Sequence, residues 1–148
     1  MTIGIIWINH HAMIGRLRAI DHMMMILNLA LLLTIVLLPF TTSLVAEYVN
    51  QSSGQHLAAA IYGGSFLVMA IAFSACQRHI LIARPELLRT ELPAQERRHI
   101  LGRALVGLVP YAVATAIAPL SAYATLVICA VIAAFYASPL ATASERQV

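Results

Sequence analysis

The amino-acid sequence predicts an all-α, polytopic integral membrane helix bundle, and three observations carry that reading. Of 148 residues, 61% are apolar and only 10% are charged. Mean hydropathy is +0.85. The charges that do occur fall between long uncharged runs, whereas a water-soluble domain carries about 25% charged residues throughout. Lipid is the solvent this composition suits.

Taken in order, residues 1–15 are apolar apart from Asn9, His10, His11 and a hydroxyl, and the run stops at Arg16 and Arg18. A helix needs roughly 20 residues to cross hydrocarbon about 30 Å thick. This stretch therefore reads as a partial helix, with the expectation that its beginning lies upstream. The run 22–45, which after His22 is broken only by Asn28, Pro39 and a few hydroxyls, is the first complete span. Further spans are expected at 57–78, 99–119 and 121–140, the last two joined by a turn at Pro119-Leu120-Ser121. The prediction is one transmembrane domain over 1–148, with one partial and four complete helices. Pro110 should kink the third complete span, and Pro39 the outer part of the first. Small residues four apart, such as Ala59 and Gly63, let neighbouring helices approach closely.

The nine basic residues are all Arg, against six carboxylates. On a soluble fold such an excess points to nucleic acid, but here the arginines lie in connections, so no nucleic-acid partner is expected. Arg16 and Arg18 occupy the first connection, and Arg78, Arg84, Arg89, Arg97, Arg98 and Arg103 lie in or beside an Arg-rich loop at 79–98. Residues 46–56 and the Pro119 turn have none. The positive-inside rule makes the Arg-bearing loops cytoplasmic, and Arg146 places the C-terminus there too. Leu87, Leu88 and Leu92 in the loop suit either an amphipathic helix at the membrane interface or a solvated linker. His56, His79 and His99 read as solvated interfacial histidines. Cys76 and Cys129 sit within apolar runs without a C-x-x-C partner and read as small buried residues.

Polar residues at membrane depth are where chemistry could reside. Trp7, His10, His11 and Ile14 follow helical spacing and are expected to share a face directed into the protein. The short connection at 16–20 makes the first two helices antiparallel neighbours, so a network linking His10 or His11 to Asn28 is expected. Three readings compete. Metal binding has suitable ligand types in His10, His11, Asp21 and His22, but adjacent histidines diverge by about 100° and no H-x-x-x-H spacing occurs. Catalysis lacks a nucleophile beside a base or a carboxylate pair, so the chain does not read as an enzyme, and no cofactor motif is present. The third reading is a structural hydrogen-bond network that holds helices around something.

The stretch from Ile3 to Tyr48 resembles the second and third helices of prokaryotic members of the transmembrane protein 175 family, relatives of the lysosomal potassium channel. Trp7-Ile8-Asn9-His10-His11, the turn from Arg18 to Asp21, Asn28 and Leu38-Pro39-Phe40 follow that pattern in order and spacing. The later spans agree in length and topology with weaker motifs. The resemblance implies a six-helix subunit of a tetrameric potassium-conducting channel in a cell membrane, of the prokaryotic inner-membrane kind. It also implies a first helix that lines the pore and carries an arginine followed by Phe-Ser-Asp. That signature does not occur in these 148 residues. By the same resemblance, Trp7, Asn9, His10, His11 and Asn28 support the pore helix and do not ligate ions. There is no T-V-G-Y-G filter; Tyr62-Gly63-Gly64 lies within a span without a filter's flanks. The expected function is a potassium-channel-like subunit, truncated at its N-terminus and homo-oligomeric, with the bilayer as partner and potassium as permeant ion. A non-conducting fragment or accessory subunit is the alternative, and an intramembrane metal-binding protein the third.

Overall fold

The computed structural model describes residues 2–51 and 53–137. Its helices are α1 (Thr2–Gly15), α2 (His22–Tyr48), α3 (Gln55–Arg78), α4 (Ala94–Val106), α5 (Leu108–Ile117) and α6 (Ala122–Ala137). A π-helical turn, His79–Ala83, prolongs α3, and a 3-10 turn, Pro85–Leu87, follows it. Three helical stretches are long and apolar enough to cross a membrane: His22–Tyr48, Gln55–Ala83 and Ala94–Ile117. Ala122–Phe135 is apolar but shorter. Residues 138–140 of the last expected span, and Arg146, lie outside the described residues.

Helix α2 starts at Asp21, whose carboxylate accepts the Met24 backbone N–H at 2.8 Å and caps an otherwise unpaired helix end. Its 27 residues span about 40 Å at about 1.5 Å per residue, more than the hydrocarbon core requires. Met24, Leu31 and Leu38 recur every seventh position and are buried against the bundle, chiefly on α3. Leu29, Leu33, Val36 and Phe40 on the opposite side are exposed, as expected of a face that meets lipid. The helix continues through Pro39, and the hydroxyls of Thr42 and Ser43 donate to the carbonyls of Leu38 and Pro39.

The centre of the bundle is α3, which packs on α2, α5 and α6. A Cβ on Gly63 would lie 3.2 Å from the Thr115 hydroxyl, 3.3 Å from the Thr125 methyl and 3.4 Å from the Thr115 Cα. Any side chain at position 63 would press on α5 and α6, and Ala59, Ala118 and Ala122 form a small buried cluster beside it. Tyr62 meets Phe66 edge to face at 5.0 Å, and Phe66 stacks on Tyr111 at 5.8 Å. Cys76 and Cys129 are free and buried.

The third complete span, the continuous stretch Ala94–Ile117, is interrupted at Gly107, between α4 and α5 and just before Pro110. Pro110 has no N–H to give the Val106 carbonyl one turn earlier, so the ladder fails there and the chain turns at the next residue. The expected loop 79–98 departs from the sequence reading: residues 94–98 already belong to α4, and residues 79–93 form neither an amphipathic α-helix nor a solvated linker. The chain around Leu88 pairs with the α1–α2 turn: Arg18 N–H donates to the Leu87 carbonyl and Arg89 N–H to the Arg16 carbonyl, both at 2.9 Å. Leu17 and Leu88 form an antiparallel bridge between them. With these backbones paired, Leu17, Leu87 and Leu88 are free to turn inward and are buried.

Candidate functional site: the polar seam along α1 and the Asp21 cluster

Helix α1 meets α2 through one polar bond. His10 Nε2 lies 2.6 Å from Asn28 Oδ1, so the ring N–H donates to the amide oxygen. This is the link the short connection and spacing anticipate. Asn9 turns back on its own helix, donating from Nδ2 to the Ile5 carbonyl at 3.1 Å.

Trp7 and His11 are directed away from the other described helices. Their rings stack at 5.0 Å with an interplanar angle of 10°, and Trp7 is 61% exposed. Adjacent residues on a helix diverge by about 100°, so once His10 is directed at α2, His11 cannot be. Trp7, one turn before His11, follows it outward. The result is a flat aromatic shelf on the face of α1 away from the Asn28 contact.

A second polar cluster forms at the Arg-bearing end. His79 Nε2 is 3.0 Å from each carboxylate oxygen of Asp21. Arg84 Nε is 3.4 Å from Asp21 and 3.3 Å from Glu86, and Arg18 Nε donates to the Glu86 carbonyl at 2.8 Å. The Met24 N–H is the main cause holding the Asp21 carboxyl below the usual carboxylate range; desolvation opposes it, and His79 and Arg84 add to the lowering. His79 is thus not a solvated histidine: its side chain is only 12% exposed. His56 also has a partner, placing Nδ1 3.0 Å from the Ala118 carbonyl at the other end of the bundle. The Asp21 cap is legible in sequence, as an acidic residue just before an apolar helical run. Its pairing with a histidine 58 residues away leaves no local trace.

Among the described residues no group of three His, Cys, Asp or Glu side chains could hold a metal ion. The arrangement is a set of hydrogen bonds that fix α1, α2 and the end of α3 to one another.

Apolar helices of membrane-crossing length, leucine and valine faces turned outward, and polar groups paired in seams define a multi-pass helical membrane protein. Comparison with known proteins narrows the class. The model of the endosomal/lysosomal potassium channel TMEM175 family matches residues 1–39. A protein named as a potassium channel in Streptomyces collinus is 32% identical over 136 residues, which cover 92% of this chain and 66% of the relative. One from Chamaesiphon minutus, also named a potassium channel, is 31% identical with the same coverage. The crystal structure of a lysosomal potassium-selective channel TMEM175 homolog from Chamaesiphon minutus superposes with a TM-score of 0.78 at 29% identity, over 92% of this chain and 66% of that one. The chain belongs to the TMEM175 family and spans 66% of the length of these relatives.

Proposed function

We propose that this chain forms the larger part of a subunit of a potassium-selective, tetrameric channel, with the shelf of Trp7 and His11 as the seat of a pore-lining helix. One observation carries the reading: a large aromatic pair, stacked and 61% exposed at Trp7, stands beside the His10–Asn28 bond. Both fall in the segment matched by the potassium-channel family model. An exposed tryptophan at membrane depth packs against either lipid or another helix, and its stacked imidazole favours a partner that offers hydrogen bonds. In this reading His10, Asn9 and Asn28 set the pitch of α1 against α2, while Trp7 and His11 receive the pore helix from beyond these residues. None of the five touches the permeant ion. The Arg-bearing end, with Arg16, Arg18, Arg84 and Arg89, faces the cytoplasm, and the C-terminus lies on the same side.

Potassium flux into liposomes tests this. The 148-residue chain is compared with a form extended in frame through whatever codons lie upstream of Met1. Conduction by the extended form alone, abolished by Trp7→Ala, is the expected result. Conduction by the 148 residues alone would show that one of α1–α6 lines the pathway and that the shelf has another role. Conduction by neither form would favour a non-conducting accessory subunit.

A further inference from the structure

A cavity of about 660 Å³ lies between α1, α3, α4, α5 and α6. Leu31, Phe66, Met69 and Phe73 give it an apolar wall, and Ser74 and Gln77 line it one turn apart on α3. Ser74 is 7% exposed, and its hydroxyl has no hydrogen bond to any described residue. Every other serine or threonine hydroxyl within α2, α3, α5 and α6 donates to a carbonyl three or four residues earlier. The Gln77 side-chain Oε1 is likewise buried without a partner among the described residues. Arg16, Arg89 and Arg103 also line the space, and each is engaged within the protein, Arg89 with the Leu17 carbonyl. The groups that the cavity leaves unmatched are therefore neutral: a hydroxyl and an amide, next to an apolar wall.

We propose that this cavity binds an uncharged lipid whose apolar chain ends in free hydroxyls, the chemistry of a monoacylglycerol. The chain lies along Leu31, Phe66 and Met69. One hydroxyl sits between Ser74 and Gln77, accepting from the Ser74 Oγ–H and donating to the Gln77 amide oxygen. A hydroxyl suits both partners because it is donor and acceptor at once, whereas neither a carboxylate nor an ester has a proton to give Oε1. An unpartnered buried acceptor is costly unless something donates to it. Water alone would satisfy the two polar groups and leave the apolar wall wet; an amphiphile covers both. The size supports a lipid chain over a protein segment. A helix about 10 Å across that rises about 1.5 Å per residue fills such a volume in roughly six residues, far too few for a membrane span. Small amphipathic ligands occupy cavities of about 300–1,000 Å³. The inference rests on the cavity and its two free polar groups and is independent of ion conduction.

The chain is placed in nanodiscs of phosphatidylcholine, whose head group has no hydroxyl, doped with monooleoylglycerol, methyl oleate or oleate. The lipid retained is counted by native mass spectrometry. Monooleoylglycerol should be retained about fivefold or more over methyl oleate and over oleate, since each net hydrogen bond is worth roughly a factor of five. Ala70→Phe, which fills the apolar part, should remove retention of all three. Ser74→Ala guards against misfolding. It deletes a hydroxyl that bonds nothing in the protein, so the melting temperature without added lipid stays level, while the preference for monooleoylglycerol falls severalfold. Equal retention of monooleoylglycerol and methyl oleate, tighter retention of oleate, or an unchanged preference in folded Ser74→Ala would each overturn the proposal. So would loss of binding in the form extended upstream of Met1, which would show that a protein segment fills the cavity.

Discussion

Breaking the His10–Asn28 contact measures how much of α1's position depends on one bond. The two atoms are 2.6 Å apart and partly buried, so replacing Asn28 with Leu removes the acceptor and leaves the imidazole N–H facing an apolar side chain. Such an orphaned donor costs about 1–3 kcal/mol. In membrane bundles, however, the unfolded helix still finds partners, and interhelical polar pairs average roughly 0.6 kcal/mol with a ceiling near 1.7. The expected loss for Asn28→Leu is therefore about 1–2 kcal/mol. The coupling in a cycle of His10→Leu, Asn28→Leu and the double variant should be about 1 kcal/mol. Unfolding in mixed micelles, followed by circular dichroism, reads both quantities. Each kcal/mol corresponds to a midpoint shift of about 2–4 °C for a chain of this size. Additivity within roughly 0.3 kcal/mol would refute the bond as an energetic link, leaving α1 held by the burial of Met13 and by the backbone pairing at residues 16–18.

Three other perturbations follow from the same geometry. Gly63→Leu drives side-chain atoms into Thr115 and Thr125, whose nearest atoms stand 3.2–3.3 Å from the first added carbon; overpacking of about 1–3 kcal/mol should lower the melting midpoint, with Gly63→Ala milder. Thr125→Val removes a buried hydroxyl that donates to the Ala114 carbonyl at 2.9 Å, and about 1 kcal/mol of stability should go with it. Asp21 has a lowered pKa, so its contribution is fully present above the unfolded value of about 3.9 and is lost as pH falls from there through the lower folded value. Melting curves between pH 5 and pH 2.5, choices of window that bracket this range at about one unit or more, should slope more steeply for the native chain than for Asp21→Asn. Parallel slopes would contradict the cap.

The features legible in the sequence were those built from neighbours. The span at 22–45 was legible from its uncharged length alone, which needs no knowledge of a partner. His10 and Asn28 were connectable because a short turn leaves antiparallel helices no choice but to meet. Small residues at Ala59 and Gly63 announced a close approach, though not that Thr115 and Thr125 were the groups approached. Helical spacing grouped Trp7 with the histidines without saying which helix each would meet; the His10 bond to Asn28 separates His10 from the Trp7–His11 pair. Leu87, Leu88 and His79 were misjudged for a different reason. A charged stretch with scattered leucines looks the same whether its backbone is solvated or paired with a segment seventy residues earlier, and only the fold distinguishes the two.

That pairing has a consequence for biosynthesis. The α1–α2 turn is secured in part by Arg89, whose guanidinium donates to the Leu17 carbonyl 72 residues upstream. At about 5–20 residues per second, the ribosome makes Arg89 roughly four to fifteen seconds after Leu17. During that interval the first hairpin sits in the translocon or the bilayer with the Leu17 carbonyl of its connecting turn still without the Arg89 donor. Whatever shelters that turn from lipid should therefore matter most for this protein before Arg89 has emerged.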